Sequence, residues 1–429
     1  MRNQFLLRAV FGITTMLTAG CRDLTSLQQS NPGALDVTTV FVPANAVLIT
    51  NGAIADFECA FSRYVVGTGL FADELSTAIA STANFDFDRR TLPTNAPYGT
   101  GICGSNQQPP IYTTLSTARG SADTAAAKLR GWTDAQMPAG VSRVKLIGQT
   151  AVYAGYSLVL LGESMCSAAI NVGPELTPAQ LFAEAKIRFD SAVVAATAAS
   201  DAPTLNLALL GRARNALDLG DAAAAGVDAA KIPATFAANM GTNGVDVRRE
   251  NFAFIAINQS NWATVESGFR GVTINGAADS RVAVTNTGKA GTAAGSILWT
   301  PDKYSALTST MPIARYAEAQ LIVAESKLAA NDLTSAVAAI NIVRATHPGL
   351  PAYDGTGQTA AQVKTQLIEE RRRELFLEGH RLGDLRRYGQ VFSPAAGTAY
   401  AGGGGVYGTQ TCFPLPDVEK INNPNISKS

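Results

Sequence analysis

Three stretches of this chain repeat one spacing: Ala185, Phe189 and Ala192; Ala225, Ala229 and Ile232; Ala336, Ile340 and Val343. Positions four and then three residues apart share one face of an α-helix, and small or medium side chains there let a neighbouring helix approach closely. Each triplet follows another helical stretch, near 142–163, 204–218 and 312–330, so each reads as the second helix of a pair. Such a pair cannot cover its apolar face alone, and stacking pair upon pair covers it. The chain is therefore expected to be mainly α from about Ala46 onward.

The spacing resembles the tetratricopeptide pattern, which implies helix pairs forming a right-handed α-superhelical scaffold, here over about 45–235 and 311–389. Two regions break the pattern. Residues 84–110 carry Pro93, Pro97, Pro109 and Pro110, and loops this long are usually functional or disordered. Residues 240–310 are rich in Gly, Asn and Thr, with short alternating runs at Val282, Val284 and Leu298. They read as a loop-rich insertion with short strands, spanning about 236–310. Residues 391–411, with Gly402 to Gly405 in a row, read as a flexible connection. No Lys-Ser/Thr follows that run, so it is no phosphate loop.

The chain opens with Met1-Arg2, a second cation at Arg8, an apolar run from Ala9 to Leu17, and Thr18-Ala19-Gly20-Cys21. This describes a secretory signal whose core is too short to span a bilayer. Small residues directly before a Cys also fit a lipoprotein signal, although Leu17 stands four residues before Cys21 instead of the usual three. The expectation is a signal peptide over 1–20, lipidation of Cys21, and a polar, Pro-bearing tether over 21–44. The competing reading is an ordinary signal with Cys21 in a disulfide. No later segment resembles a membrane helix, so membrane residence would depend on acyl chains, each buried CH₂ adding ~0.8 kcal/mol. Cleavage would remove two arginines and no acids from 34 basic and 34 acidic residues, leaving a net charge near −2. Without basic blocks, that argues against nucleic-acid binding.

Four further cysteines, Cys59, Cys103, Cys166 and Cys412, are an even number in an exported chain and favour two disulfides among three connectivities. Pairing Cys59 with Cys103 staples one loop-rich segment and leaves Cys166 for Cys412. Metal binding lacks any CxxC spacing or His cluster.

The last hundred residues carry the most specific signal. MPIARYAEAQLIVAES (311–326), AINIVRA (339–345), EERRRELFLEGHRLGDLRRYG (369–389) and CFPLPDVEKINNPN (412–425) follow one another. Four motifs in this order closely resemble the C-terminal region of SusD/RagB-like proteins. Leu382-Gly383 replaces large aromatic residues common in the family, and Phe413-Pro414-Leu415-Pro416 replaces the more usual Pro-Ile-Pro form. The resemblance implies one SusD-like domain over 45–429, with a C-terminal clamp at 360–429. It implies a lipid-anchored outer-membrane protein, facing the extracellular side, that captures oligosaccharides or peptides for a SusC-like TonB-dependent transporter. It also places the ligand on loops of the N-terminal half and the insertion. Those loops offer Asp73, Phe85, Asp88, Arg89, Tyr98, Asn106, Gln107, Tyr112, Trp262 and Phe269, which are stacking surfaces and hydrogen-bonding groups of the kind a sugar or peptide needs.

Catalytic chemistry has thin support. The chain has two histidines, His347 and His380, and no HExxH, GxSxG or Walker sequence. Asp73-Glu74 and Asp86/Asp88 could be paired acids, but nothing distinguishes them from loop acids. The expectation is a binding protein without cofactor or metal; the alternative is a tetratricopeptide-type scaffold lipoprotein with protein partners only. Within the clamp, Ile368, Leu375 and Leu382 predict a buried stripe widened by Phe376. Glu369–Arg373 and Arg371–Glu374 have helical pairing distances, Gly379 can end the helix, and Asp384 and Arg386 can tie the turn.

Overall fold

The computed structural model describes residues 37–104 and 108–427. Long helices dominate it: α1 (Ala46–Ala72), α3 (Tyr112–Gly131), α4 (Arg143–Ser164), α5 (Pro178–Ala198), α6 (Ala202–Asp218), α8 (Tyr316–Ala329), α9 (Leu333–Arg344) and α10 (Ala360–Glu374). Shorter ones are α2 (Thr82–Asp88), α7 (Ala222–Ala229), α11 (Arg381–Arg387) and α12 (Asp417–Asn422). The fold is mainly α. Consecutive helices pack on one another from α3 through α7, α8 packs on α7 and α9, and α1 lies against α3 and α4.

Local chemistry sets the helix starts. Thr177 and Gln180 form a capping box ahead of α5, with Pro178 in its first turn, and Thr359 with Gln362 does the same for α10. All three spaced triplets are buried. Phe189, at the centre of the first, sits where Gly155 of α4 and Gly211 of α6 leave room. A Cβ at either glycine would come within 3 Å of its ring, so the three helices close on one aromatic. Ile232 lies beyond the end of α7 but is buried too. Helix α4 is long and apolar enough to cross a membrane, yet most of it is buried inside the protein, as befits a core helix.

The insertion holds short strands. β1 (Leu75–Thr77) pairs antiparallel with β3 (Ala263–Val265), in the register Leu75↔Val265, Ser76↔Thr264, Thr77↔Ala263. β2 (Ala237–Asn239) pairs with β6 (Pro312–Arg315), and β4 (Val284–Ala290) with β5 (Ile297–Pro301). The β1–β3 pair joins the loop after α1 to the insertion. Cys59 is bonded to Cys103 and Cys166 to Cys412, the second bond tying the end of α4 to the C-terminal segment. Ordered structure reaches back into the expected tether, where Val37–Val40 is helical and Lys128 lies over the Phe41 ring.

The clamp differs in detail from its local reading. Glu369 does pair with Arg373, at 2.6 Å, but Arg371 pairs with Asp384 at 2.8 Å and Glu374 with Arg315 at 2.7 Å. Buried partners far along the chain outcompete a helical-spacing pair worth only a few tenths of a kcal/mol. Helix α10 ends at Glu374, so its buried face runs through Val363, Leu367, Glu370 and Arg371, with Ile368 only half-buried. Gly379 is left-handed at φ +75° but lies past the helix end, after Leu377 at φ +54°. Arg386 donates to the carbonyls of Gly162, Glu163 and Met165, closing the C-terminus of α4.

Candidate functional site

Pairing of β1 with β3 brings the two expected ligand-bearing regions side by side and opens a cleft of about 270 Å³ at their edge. Its floor carries Thr77, Asp88, Thr264, Glu266 and Arg270. Residues 294–297 close one side, and the loop over 394–407 closes another through Tyr400 and Tyr407.

Asp88 is the most constrained of these groups. Its Oδ2 accepts from the Thr77 backbone N–H at 2.9 Å and from the Tyr400 hydroxyl at 3.0 Å. Burial pushes its carboxyl up to about 7, against the lowering effect of those two bonds. Burial likewise raises the Tyr400 and Tyr407 hydroxyls, and the nearby Asp88 charge adds to it, so both stay protonated donors. Arg270 donates to Val265 O at 2.8 Å and lies 5.5 Å over the Trp299 ring. Burial lowers its proton affinity, although the neighbouring Glu266 opposes this. Glu266 accepts from Ser267 at 2.6 Å, and the buried Ser296 hydroxyl at the rim has no hydrogen-bond partner among the described residues. The cleft thus combines two tyrosine side chains, whose rings also pack on Phe85, Arg89 and Arg90, with acidic groups, a guanidinium and hydroxyls. That combination can hold a polyhydroxylated ligand and orient it.

Of the expected ligand residues, Asp88 lines the cleft, while Phe85 and Arg89 lie behind it. Phe85 packs edge-on against Tyr400 at 5.4 Å, and Arg89 pairs with Asp86 at 2.7 Å and sits 5.6 Å over the Tyr400 ring. Asp73 is held by both arms of Arg381, at 2.7 and 2.6 Å. Tyr98, Tyr112, Trp262 and Phe269 are buried in the main core. The Tyr98 hydroxyl donates to Pro414 O at 2.8 Å, Ala169 N–H donates to the Tyr112 hydroxyl at 3.4 Å, Trp262 packs on Phe252, and Phe269 stacks on Phe376 at 4.7 Å. Their faces are spent on protein, so these four rings do not belong to the cleft. Asn106 and Gln107 lie outside the described residues, as does Cys21. The acids considered for catalysis have internal partners as well. Glu74, fully buried and pushed up to about 8 by that burial, accepts from Leu377 N–H at 2.7 Å.

Sequence reasoning missed Tyr400, Tyr407, Glu266, Arg270 and Ser296. Two tyrosines bracketing four glycines were a signal, because glycine runs shape surface loops and leave the neighbouring rings as their largest side chains. Larger hollows of about 420–500 Å³ lie on the helical scaffold. Charges lining two of them are already paired with each other, as Arg212 is with Asp228 and Arg188 with Asp123. The cleft is preferred on its chemistry.

Residues 234–426 match the SusD family, and no curated protein matches the chain. Solved structures resemble it over most of its length. One is a putative sugar binding protein from Bacteroides vulgatus, 14% identical at a TM-score of 0.67, covering 92% of this chain and 98% of that one. A SusD-like carbohydrate binding protein from Bacteroides vulgatus is 15% identical at 0.64, covering 90% and 97%. A laminarin binding SusD-like protein is 13% identical at 0.63, covering 88% and 98%. At these identities the likeness shows the fold. Residues 234–426 thus carry the sequence pattern of the SusD family, within an architecture that solved SusD-like structures share over most of the chain.

Proposed function

We propose that the protein captures oligosaccharides in the cleft beside the β1–β3 pair and delivers them to a partner TonB-dependent transporter in the outer membrane. The observation that carries this reading is the convergence of Tyr400, Tyr407, Asp88, Glu266 and Arg270 on one hollow. Sugar hydroxyls pair with carboxylates and guanidinium, and sugar C–H faces stack on rings. Structural relatives described as sugar-, carbohydrate- and laminarin-binding support the ligand class. Binding accounts for the site without catalysis, since Asp73, Glu74, Asp86 and Asp88 are each engaged by protein groups.

In this reading residues 1–20 are a lipoprotein signal, Cys21 carries the lipid, residues 21–44 lead away from the membrane, and 45–429 form the binding domain at the cell surface. A stable lid over a transporter mouth needs a contact above ~2,000 Å². The test has two arms. Purified protein is screened against a panel of glycans and peptides, and the native membrane is extracted in mild detergent to recover the partner. A bound glycan and one large barrel at about equal amounts support the proposal. Recovery of assembly-machinery lipoproteins with no ligand would replace it with the scaffold reading.

A further inference from the structure

The cleft wall that bears both tyrosines is a strap. Residues 394–408 double back on themselves: Ala399 bridges Val406, Tyr400 N–H donates to Gly405 O, and Tyr407 N–H donates to Thr398 O, both at 3.0 Å. Its ends are pinned to the segment after α2. Arg90 donates to Pro394 O, Gly408 N–H donates to Arg89 O at 2.6 Å, and Gln410 exchanges bonds of 2.7 and 2.9 Å with the Leu92 backbone.

The tip is held by longer hydrogen bonds and by its two rings. Tyr400 donates to Asp88 at 3.0 Å, Arg89 donates to Gly404 O at 3.2 Å, and Ala294 N–H donates to Gly402 O at 3.3 Å. Its apolar contacts form a small cluster of Phe85, Ala293, Tyr400 and Tyr407, separate from the main core. Segments with few buried apolar contacts open at a free energy well below that of global unfolding. Gly404 and Gly405, at φ +84° and +80°, give the tip a backbone that lacks side-chain restraint. Size points the same way: about 270 Å³ lies below the ~300–1,000 Å³ usual for ligand pockets. An oligosaccharide needs more room than the closed cleft offers.

We propose that residues 398–407 are a hinged strap that swings away to admit the glycan, latched shut by the Tyr400 hydroxyl on Asp88. This rests on the glycan reading only for the identity of what enters. The motion itself is testable without ligand, by hydrogen exchange with mass spectrometry on the full chain. In wild-type protein, amides of 399–407 should exchange faster than those of α4. Tyr400→Phe should speed the strap amides about tenfold, the effect of losing roughly one hydrogen bond, and leave α4 unchanged. Arg89→Ala, which removes the second tip contact, should move the same peptide in the same direction. Three results would overturn the strap: wild-type exchange there as slow as in α4, no change in Tyr400→Phe, or equal acceleration everywhere. A strap that opens in a protein that binds no glycan would sink the functional proposal alone.

Discussion

Replacing Glu370 by Ala removes a carboxylate on which two buried guanidinium groups, of Arg281 and Arg344, converge. Its side chain is fully buried, and it accepts from Arg281 at 2.5 Å, from Arg344 at 2.5 and 3.1 Å, and from Gln366 at 2.5 Å. Breaking a buried ion pair from one side costs about 3–5 kcal/mol, because the remaining charge stays desolvated. Here the cost should sit near the lower end. Arg281 keeps Asp279, at 2.9 and 2.8 Å, and Arg344 keeps Pro351 O at 2.9 Å. The expected loss is about 3 kcal/mol, read as a lower urea midpoint at constant slope. Removing Arg344 as well should cost less than the sum of the single changes, with a coupling of roughly 1–3 kcal/mol. Glycan affinity of the folded variant should be unchanged, since Glu370 ties α9 and α10 to the insertion and lies outside the cleft. An unchanged midpoint together with lost binding would refute the structural assignment of this charge cluster.

Two further outcomes are expected. Burial pushes Asp88 and Glu318 up to about 7 and Glu74 up to about 8, so each keeps a proton that the unfolded chain releases near pH 4. The folded state then binds more protons, and stability falls as pH rises from about 4 to about 8. His380, held by burial well below its ordinary value, acts oppositely as pH rises toward 6.5, but it is one group against five, since burial raises Glu58 and Asp218 as well. Glu374 and Asp279 are raised by burial but drawn down to about 2 overall, by His347 and Arg315 and by Arg281 respectively, so their contribution is lost as pH falls from about 4 toward 2. Urea midpoints should therefore be higher at pH 5 than at pH 8; equal or rising values would contradict this. Separately, labelled palmitate should enter the wild-type protein in a bacterial host and not Cys21→Ala, and equal labelling of both would remove the anchor from the account.

The scaffold was legible because helix faces are periodic. Ala185, Phe189 and Ala192 report their common burial through spacing alone, and the four C-terminal motifs lie in the segment that matches the SusD family. The candidate ligand residues were less legible because loops have no period to say which side chain faces inward. Tyr98 and Trp262 look like free rings in sequence, yet the loops bearing them are packed into the core. Asp88 meets Tyr400 across 312 positions of chain, a pairing no local pattern encodes. The charge cluster shows the same limit: Arg371 had Glu374 within helical reach and took Asp384 instead.

In the proposed complex a glycan sits against Glu266 and Arg270 beneath the strap. Calorimetric titration of wild type, Glu266→Ala and Arg270→Ala with the glycan selected by panel screening tests it directly. Each lost charged hydrogen bond is worth about 1.5–3 kcal/mol, so affinity should fall at least tenfold in both variants while melting stays near wild type. Full affinity in both folded variants would place the ligand elsewhere and contradict the account.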